Sequence, residues 1–119
     1  MNKLKDDCII LREKYPDHIP MKVINNSSQF TLKKDRFLFP KYNSLRKCLK
    51  SIFENCTQHN DKYQLIFIID GNIISEMELN YTIEYYFNKY GTHNYFILLE
   101  IESNSWRRKI RDIYTFYFS

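Results

Sequence analysis

Leu4, Cys8, Leu11 and Tyr15 recur at helical spacing, which predicts an amphipathic helix over residues 3–14 that Pro16 stops. Pro20 to Ile24 then reads as a short strand, and Asn25-Asn26-Ser27-Ser28 supplies turn chemistry. A second strand is expected over about Gln29–Phe39, clearest at Arg36-Phe37-Leu38-Phe39 and ended by Pro40. Ser44 stands as an N-cap before a stripe of Leu45, Cys48, Leu49, Ile52, Phe53 and Cys56, the buried face of a second helix. Gln58 to Lys62 reads as a polar loop. Gln64 to Asp70 is a continuous apolar strand of the central kind, followed by a tight turn at Asp70-Gly71-Asn72. Ser75 and Glu78 have capping-box spacing ahead of a helical face of Leu79, Ile83, Tyr86, Phe87 and Tyr90, with Gly91 placed to end it. Asn94 to Glu102 is the last strand of this body.

The order is helix, two strands, helix, strand, helix, strand. A hairpin followed by a helix and further strands is the order of an α+β β-grasp fold, here with one helix in front. No internal repeat or linker divides the 119 residues, whose length and 44% apolar content suit one domain with its own core. Cys8, Cys48 and Cys56 are odd in number and share no metal-ligand spacing, so they read as free thiols of a reducing compartment. The amino terminus lacks the pattern of a signal peptide. The longest purely apolar run, Leu65 to Ile69, is far short of the roughly 20 residues that span a bilayer. A cytoplasmic protein is expected.

Little in the chain suggests catalysis. His18, His59 and His93 are scattered, and two glycines cannot build a phosphate-binding loop. Asp6-Asp7 is better explained by the dipole at the start of the first helix than as a catalytic pair. No enzyme activity, cofactor or metal is expected. The net charge of +4 is mild and does not choose among acidic peptides, anionic lipid and nucleic acid.

The most specific signal is Leu11-Arg12-Glu13-Lys14-Tyr15-Pro16-Asp17-His18-Ile19-Pro20. It resembles the R-x-K-Y-P-D-[RH]-[IV]-P signature of the ubiquitin-like autophagy modifiers, the autophagy-related protein 8 family that includes GABARAP. Three further stretches resemble that family's strands in the same order: Lys33 to Pro40, Leu65 to Gly71, and Tyr95 to Leu99. Together they cover about residues 3–103. The resemblance implies a ubiquitin-like β-grasp domain over residues 1–103 and an extension over residues 104–119. It also implies a function: binding short aromatic-x-x-aliphatic motifs of partner proteins and autophagy machinery at autophagosomal or other internal membranes. In the family such peptides add a strand to a sheet edge, which here is Arg36–Phe39, with Lys33, Lys34 and Arg36 meeting acidic neighbours of the motif. The plain alternative for these charges is a solvated edge guarding against aggregation.

The resemblance further implies two pockets. The first, for the aromatic side chain, would be lined by Asp7, Leu11, Pro20, Arg36, Leu38 and Phe96, with Lys22 where the family has an aliphatic residue. The second would keep Phe37, Phe39, Pro40 and Ile52. In it Asn43 and Ser51 replace leucines, Cys48 a phenylalanine and Asn55 an arginine, so a shallower, more polar pocket and altered selectivity are expected. The family attaches lipid through a C-terminal glycine, yet after Gly91 this sequence has none. Two readings of residues 104–119 stay open. Trp106, Ile110, Ile113 and Tyr117 fall on one helical face, with Arg107, Arg108 and Arg111 largely off it, a pattern suited to an anionic membrane surface. Alternatively the segment packs on its own domain as an extra strand, since Ile113 to Phe118 has high β propensity.

Three other functions compete with the leading one. One is a non-conjugated ubiquitin-like adaptor without a role in lipid-linked autophagy. Another is the autophagy modifier that ends in tryptophan-glycine, weakly resembled at Asn104-Ser105-Trp106 and opposed by the Tyr-Pro-Asp signature. The third is a nucleic-acid binder using Lys33, Lys34, Arg36, Lys41, Arg46, Lys47 and Lys50. It lacks a matching fold motif, and no nucleic-acid partner is expected.

Overall fold

The computed structural model describes residues 2–27, 30–54, 56–58, 62–91, 95–103 and 114–117. Helix α1 spans Asn2–Lys14, and the next elements are strands β1 (His18–Asn25), β2 (Phe30–Leu32) and β3 (Arg36–Pro40). Helix α2 (Leu45–Glu54) leads into β4 (Cys56–Gln58), β5 (Lys62–Ile69) and β6 (Asn72–Ile73). A 3-10 turn at Met77–Asn80, the short helix α3 (Ile83–Tyr86) and a π turn at Phe87–Gly91 come before β7 (Ile97–Ser103) and β8 (Tyr114–Tyr117).

The main sheet runs β3-β1-β7-β5-β6, with β8 also on β5. The β1–β7 pair is parallel, Met21 to Asn25 against Ile97 to Ile101, and the other pairs are antiparallel. Period-2 alternation sends Ile19, Met21, Val23, Phe37, Phe39, Leu65, Phe67, Ile69, Ile97, Leu99 and Ile101 to one face, where all are buried. The α2 stripe Leu45, Cys48, Leu49, Ile52 and Phe53 packs into the same cluster. Phe53 meets Phe30 and Phe67 edge-on, with ring centroids at 5.2 and 6.2 Å. The opposite face is covered by α1, but thinly. Cys8 is the one described α1 residue that is fully buried, and Leu4, Asp7, Leu11 and Arg12 are half-buried. Arg12 pins the helix at its far end, donating to the His18 carbonyl at 3.0 Å and lying 4.6 Å from the Phe87 ring centroid.

Four expectations change on contact with the structure. The strand expected over Gln29–Phe39 is two strands, because its apolar alternation changes parity between Phe30/Leu32 and Phe37/Phe39. One straight strand cannot bury both sets, so Phe30–Leu32 leaves the main sheet and pairs with β4. Cys56 belongs to β4, half-buried, with its thiol donating to the Phe53 carbonyl. The helix expected from Leu79 to Tyr90 breaks at Tyr81 and Thr82, both extended. There the backbone turns to a neighbour: the Leu45 N–H donates to the Tyr81 carbonyl and the Ile83 N–H to the Asn43 carbonyl. Thr82 then caps α3, its hydroxyl accepting from the Tyr85 N–H. The last strand of the body starts at Ile97, after a left-handed Tyr95 (φ 65°). Asn94 lies outside the described residues.

Other local expectations hold. The Ser75–Glu78 box is reciprocal, Ser75 N–H to Glu78 Oε1 at 2.9 Å and Glu78 N–H to Ser75 Oγ at 3.3 Å. The Ser44 hydroxyl accepts from the Lys47 N–H, opening α2. Tyr114–Tyr117 is a strand, so a helical face over the tail cannot include Tyr117. Trp106, Arg107, Arg108, Ile110, Arg111 and Ile113 lie outside the described residues.

The β5–β6 hairpin closes through Asp70 (φ 51°) and Gly71 (φ 77°), the two positive φ values of a type I′ turn. A Cβ at Gly71 would meet nothing within 4 Å, so its cost is conformational only. Gly71→Ala is expected to lower stability by about 1–2 kcal/mol in denaturant titration, with no change in the slope against denaturant.

Candidate functional site

Because α1 rests on the sheet through a narrow stripe, a cavity of about 340 Å³ remains beneath it. Its walls come from three parts of the chain. Leu4, Asp7, Cys8, Ile10 and Leu11 descend from α1, and Pro20, Met21 and Lys22 come from β1. Arg36 and Phe37 enter from β3, and Phe96 stands just before β7. The lining is apolar apart from Asp7, Lys22 and Arg36. Ile10 is 59% exposed at the lip.

The structure therefore brings Asp7, Leu11, Pro20, Lys22, Arg36 and Phe96, the residues assigned to the first pocket, around one cavity. Leu38 pairs with Pro20 across the ladder but is not part of the lining. Leu4, Cys8, Ile10 and Met21 were missed, although the helical stripe Leu4-Cys8-Leu11 marks the α1 face that meets the sheet. Phe37, assigned to the second pocket, also borders the first cavity. Burial pushes the Cys8 thiol up from its ordinary pKa, with Asp7 adding to the rise, which keeps it a protonated apolar wall group.

The residues expected to line the second pocket sit differently. Cys48 and Ile52 are wholly buried, and Phe37 and Phe39 stack at 5.5 Å within the same core cluster. An entering side chain reaches Cys48 or Ile52 only if that core opens. Burial pushes the Cys48 thiol up to about 12. Pro40 is exposed, while Asn43 and Ser51 are half-buried. Asn55 lies outside the described residues.

Lys22 interrupts the apolar run Ile19-Pro20-Met21-Lys22-Val23-Ile24, and such a half-buried cation demands a partner. It finds one in Asp35, through an ion-paired hydrogen bond from its ammonium to the carboxylate. Asp35 is held by its own backbone, whose carbonyl accepts from the Val23 N–H at 2.8 Å. The hydrogen bond from Lys22 is the main reason that the Asp35 carboxyl is held below its ordinary value.

Beside the cavity, β3 pairs with β1 on one side only, and among the described residues no strand occupies its other edge. Lys33, Lys34 and Arg36 are exposed along it, with the Lys34 ammonium 4.8 Å from the Phe37 ring centroid. Among the described residues no helix is long and apolar enough to cross a membrane, and no cluster of His, Cys, Asp and Glu could hold a metal ion.

No family model matches the chain, and no curated protein does. Solved structures do. Over 87% of this chain and 88% of the other, it superposes on Trypanosoma brucei ATG8 with a TM-score of 0.71 at 16% identity. Over 87% of this chain and 90% of the other, it superposes on Plasmodium falciparum Atg8, solved with a P. falciparum Atg3 peptide, with a TM-score of 0.71 at 13% identity. At these identities the likeness establishes the fold: the chain has the ubiquitin-like fold of Atg8 proteins with an amino-terminal helix.

The lowered pKa of Asp35 ties stability to pH with a definite sign. Its ion pair contributes fully above the ordinary carboxylate range near 4 and is lost as pH falls through the lower folded-state value. Asp35 is 54% exposed, so the contribution is small. In denaturant titrations across pH, Asp35→Asn is expected to be less stable than the wild type at neutral pH, with the difference vanishing in acid.

Proposed function

We propose that this chain is a divergent Atg8-like protein that works by binding rather than catalysis. It takes acidic-flanked aromatic-x-x-aliphatic peptides of partner proteins as an added strand on β3. The observation that carries the reading is the adjacency of a sheet edge unpaired among the described residues, three exposed cations and a mostly apolar cavity with room for a ring. Main-chain hydrogen bonds to an edge give affinity and side-chain pockets give selectivity, so these three features form one recognition surface. The Plasmodium neighbour, solved with an Atg3 peptide, supports a peptide from autophagy machinery as the kind of partner. The protein then works in the cytoplasm, at autophagosomal or other internal membranes.

Burying a leucine in a formed pocket is worth about 1.5–3 kcal/mol. With Cys48 and Ile52 closed into the core, the aliphatic anchor of a peptide gains less here than the aromatic one. In calorimetric titration, replacing the aromatic residue of a standard peptide by alanine is expected to abolish measurable binding. Replacing the aliphatic residue costs less than about fivefold, below the value for a full leucine pocket. Arg36→Glu weakens the acidic-flanked peptide several-fold. An unchanged affinity after loss of the aromatic residue would remove the cavity from the reading.

A second reading, an adaptor without lipid linkage, is favoured by β8, which ties Tyr114–Tyr117 into the sheet against Lys62–Leu65. Membrane contact would then rest on the basic stretch that contains Arg107, Arg108 and Arg111, each charge adding about 1 kcal/mol at an anionic surface. In liposome flotation the full chain should float with anionic vesicles while a chain ending at Glu102 should not. Equal behaviour of the two excludes the tail as the membrane element.

A further inference from the structure

Lys22 lies where the cavity under α1 meets a second hollow, formed by Val23, Ile24, Asn25, Thr31, Leu32 and Asp35. It is the one described residue that lines both. Its side chain is 24% exposed, and its ammonium pairs with Asp35, which lines the second hollow. In the ladder Lys22 stands opposite Arg36 on one side and Leu98 on the other, on the sheet face beneath α1. A mostly apolar, ring-sized cavity thus has Lys22, paired to Asp35, among its three charged lining residues, with Asp7 and Arg36.

We propose that Lys22 makes the cavity selective for tyrosine, so that the preferred partner is an acidic-flanked peptide whose aromatic anchor carries a hydroxyl group. This deepens the peptide-binding reading and rests on it. A ring that fills the cavity strips water from the cavity side of Lys22. The ammonium has three N–H donors and Asp35 satisfies one of them. A phenylalanine ring leaves the donor facing the cavity without a partner, and an unpaired buried donor is costly. An indole N–H can donate to Asp7 but cannot accept from an ammonium. The tyrosine hydroxyl alone among the three accepts from Lys22, and its own proton remains free for a carboxylate such as Asp7. A pocket that hydrogen-bonds a hydroxyl rejects the analogue lacking it far better than an apolar pocket rejects an added hydroxyl.

The test titrates the full chain with three peptides identical except for tyrosine, tryptophan or phenylalanine at the anchor, against the wild type, Lys22→Leu and Lys22→Arg. Asp35 is more than half exposed, so water takes over its solvation when Lys22 becomes leucine, and thermal melts verify that each variant is folded. The wild type is expected to bind the tyrosine peptide about tenfold more tightly than the phenylalanine peptide, the range of one hydrogen bond to a charged group. Lys22→Leu brings that ratio near one by tightening phenylalanine, and Lys22→Arg retains the tyrosine preference. Equal wild-type affinity for tyrosine and phenylalanine, or a ratio unchanged in Lys22→Leu, overturns the assignment while leaving peptide binding intact. Absence of binding by all three peptides overturns the peptide-binding reading itself.

Discussion

The parallel pairing of β1 with β7 is the interaction on which the rest depends. It joins the beginning of the chain to its far end in the middle of the sheet, Met21 opposite Ile97 and Val23 opposite Leu99. The loop-closure entropy of bringing residues so far apart in sequence together is offset by burial, since Met21, Val23, Ile97, Leu99 and Ile101 all enter the shared core. The same register places Phe96 beside Pro20 and Lys22. Only then can a residue preceding the last strand of the body complete a cavity begun by α1. The cavity is therefore a property of the closed sheet and cannot exist in any fragment that lacks β7.

Much of this was legible in the chain because local and long-range signals agree there. The α2 stripe, the continuous apolar run of β5, the reciprocal pair Ser75–Glu78 and the Asp70-Gly71 turn each have one economical solution, and the structure adopts it. The failures have a common cause. At Tyr81–Thr82 a helical pattern gave way because backbone groups found partners in residues 43–45, a competition that periodicity cannot register. Over Phe30 to Phe39 the change of parity was present in the sequence, but where the displaced strand went was decided by β4.

The site divides along the same line. A resemblance in sequence can name positions that the fold brings together, and Asp7, Leu11, Pro20, Lys22, Arg36 and Phe96 do meet around one cavity. It cannot say whether the pocket stays open. Cys48 and Ile52, named for the second pocket, are wholly buried in the core. Nor does position reveal pairing: Lys22 reads as a foreign charge until Asp35 is seen beside it, after which the two form a neutral wall with directional hydrogen-bonding capacity. The difference matters because a lone cation in an apolar pocket is a defect, whereas a paired one is a polar feature with a preferred orientation.

The two margins of the main sheet are unlike. On the β5 side the outermost strands are Asn72–Ile73 and Tyr114–Tyr117, short strands that together run along β5. On the other side β3 ends the sheet with its backbone groups unpaired among the described residues. Growth of the sheet is therefore directional. Very short margins are poor templates for a further strand, so one copy has little with which to receive the β3 of another. If two copies meet through their sheets they meet β3 to β3, a contact that uses the same surface on both and so closes on itself. Among the described residues of the main sheet, β3 is thus the margin that offers a further strand its longest row of unpaired backbone groups.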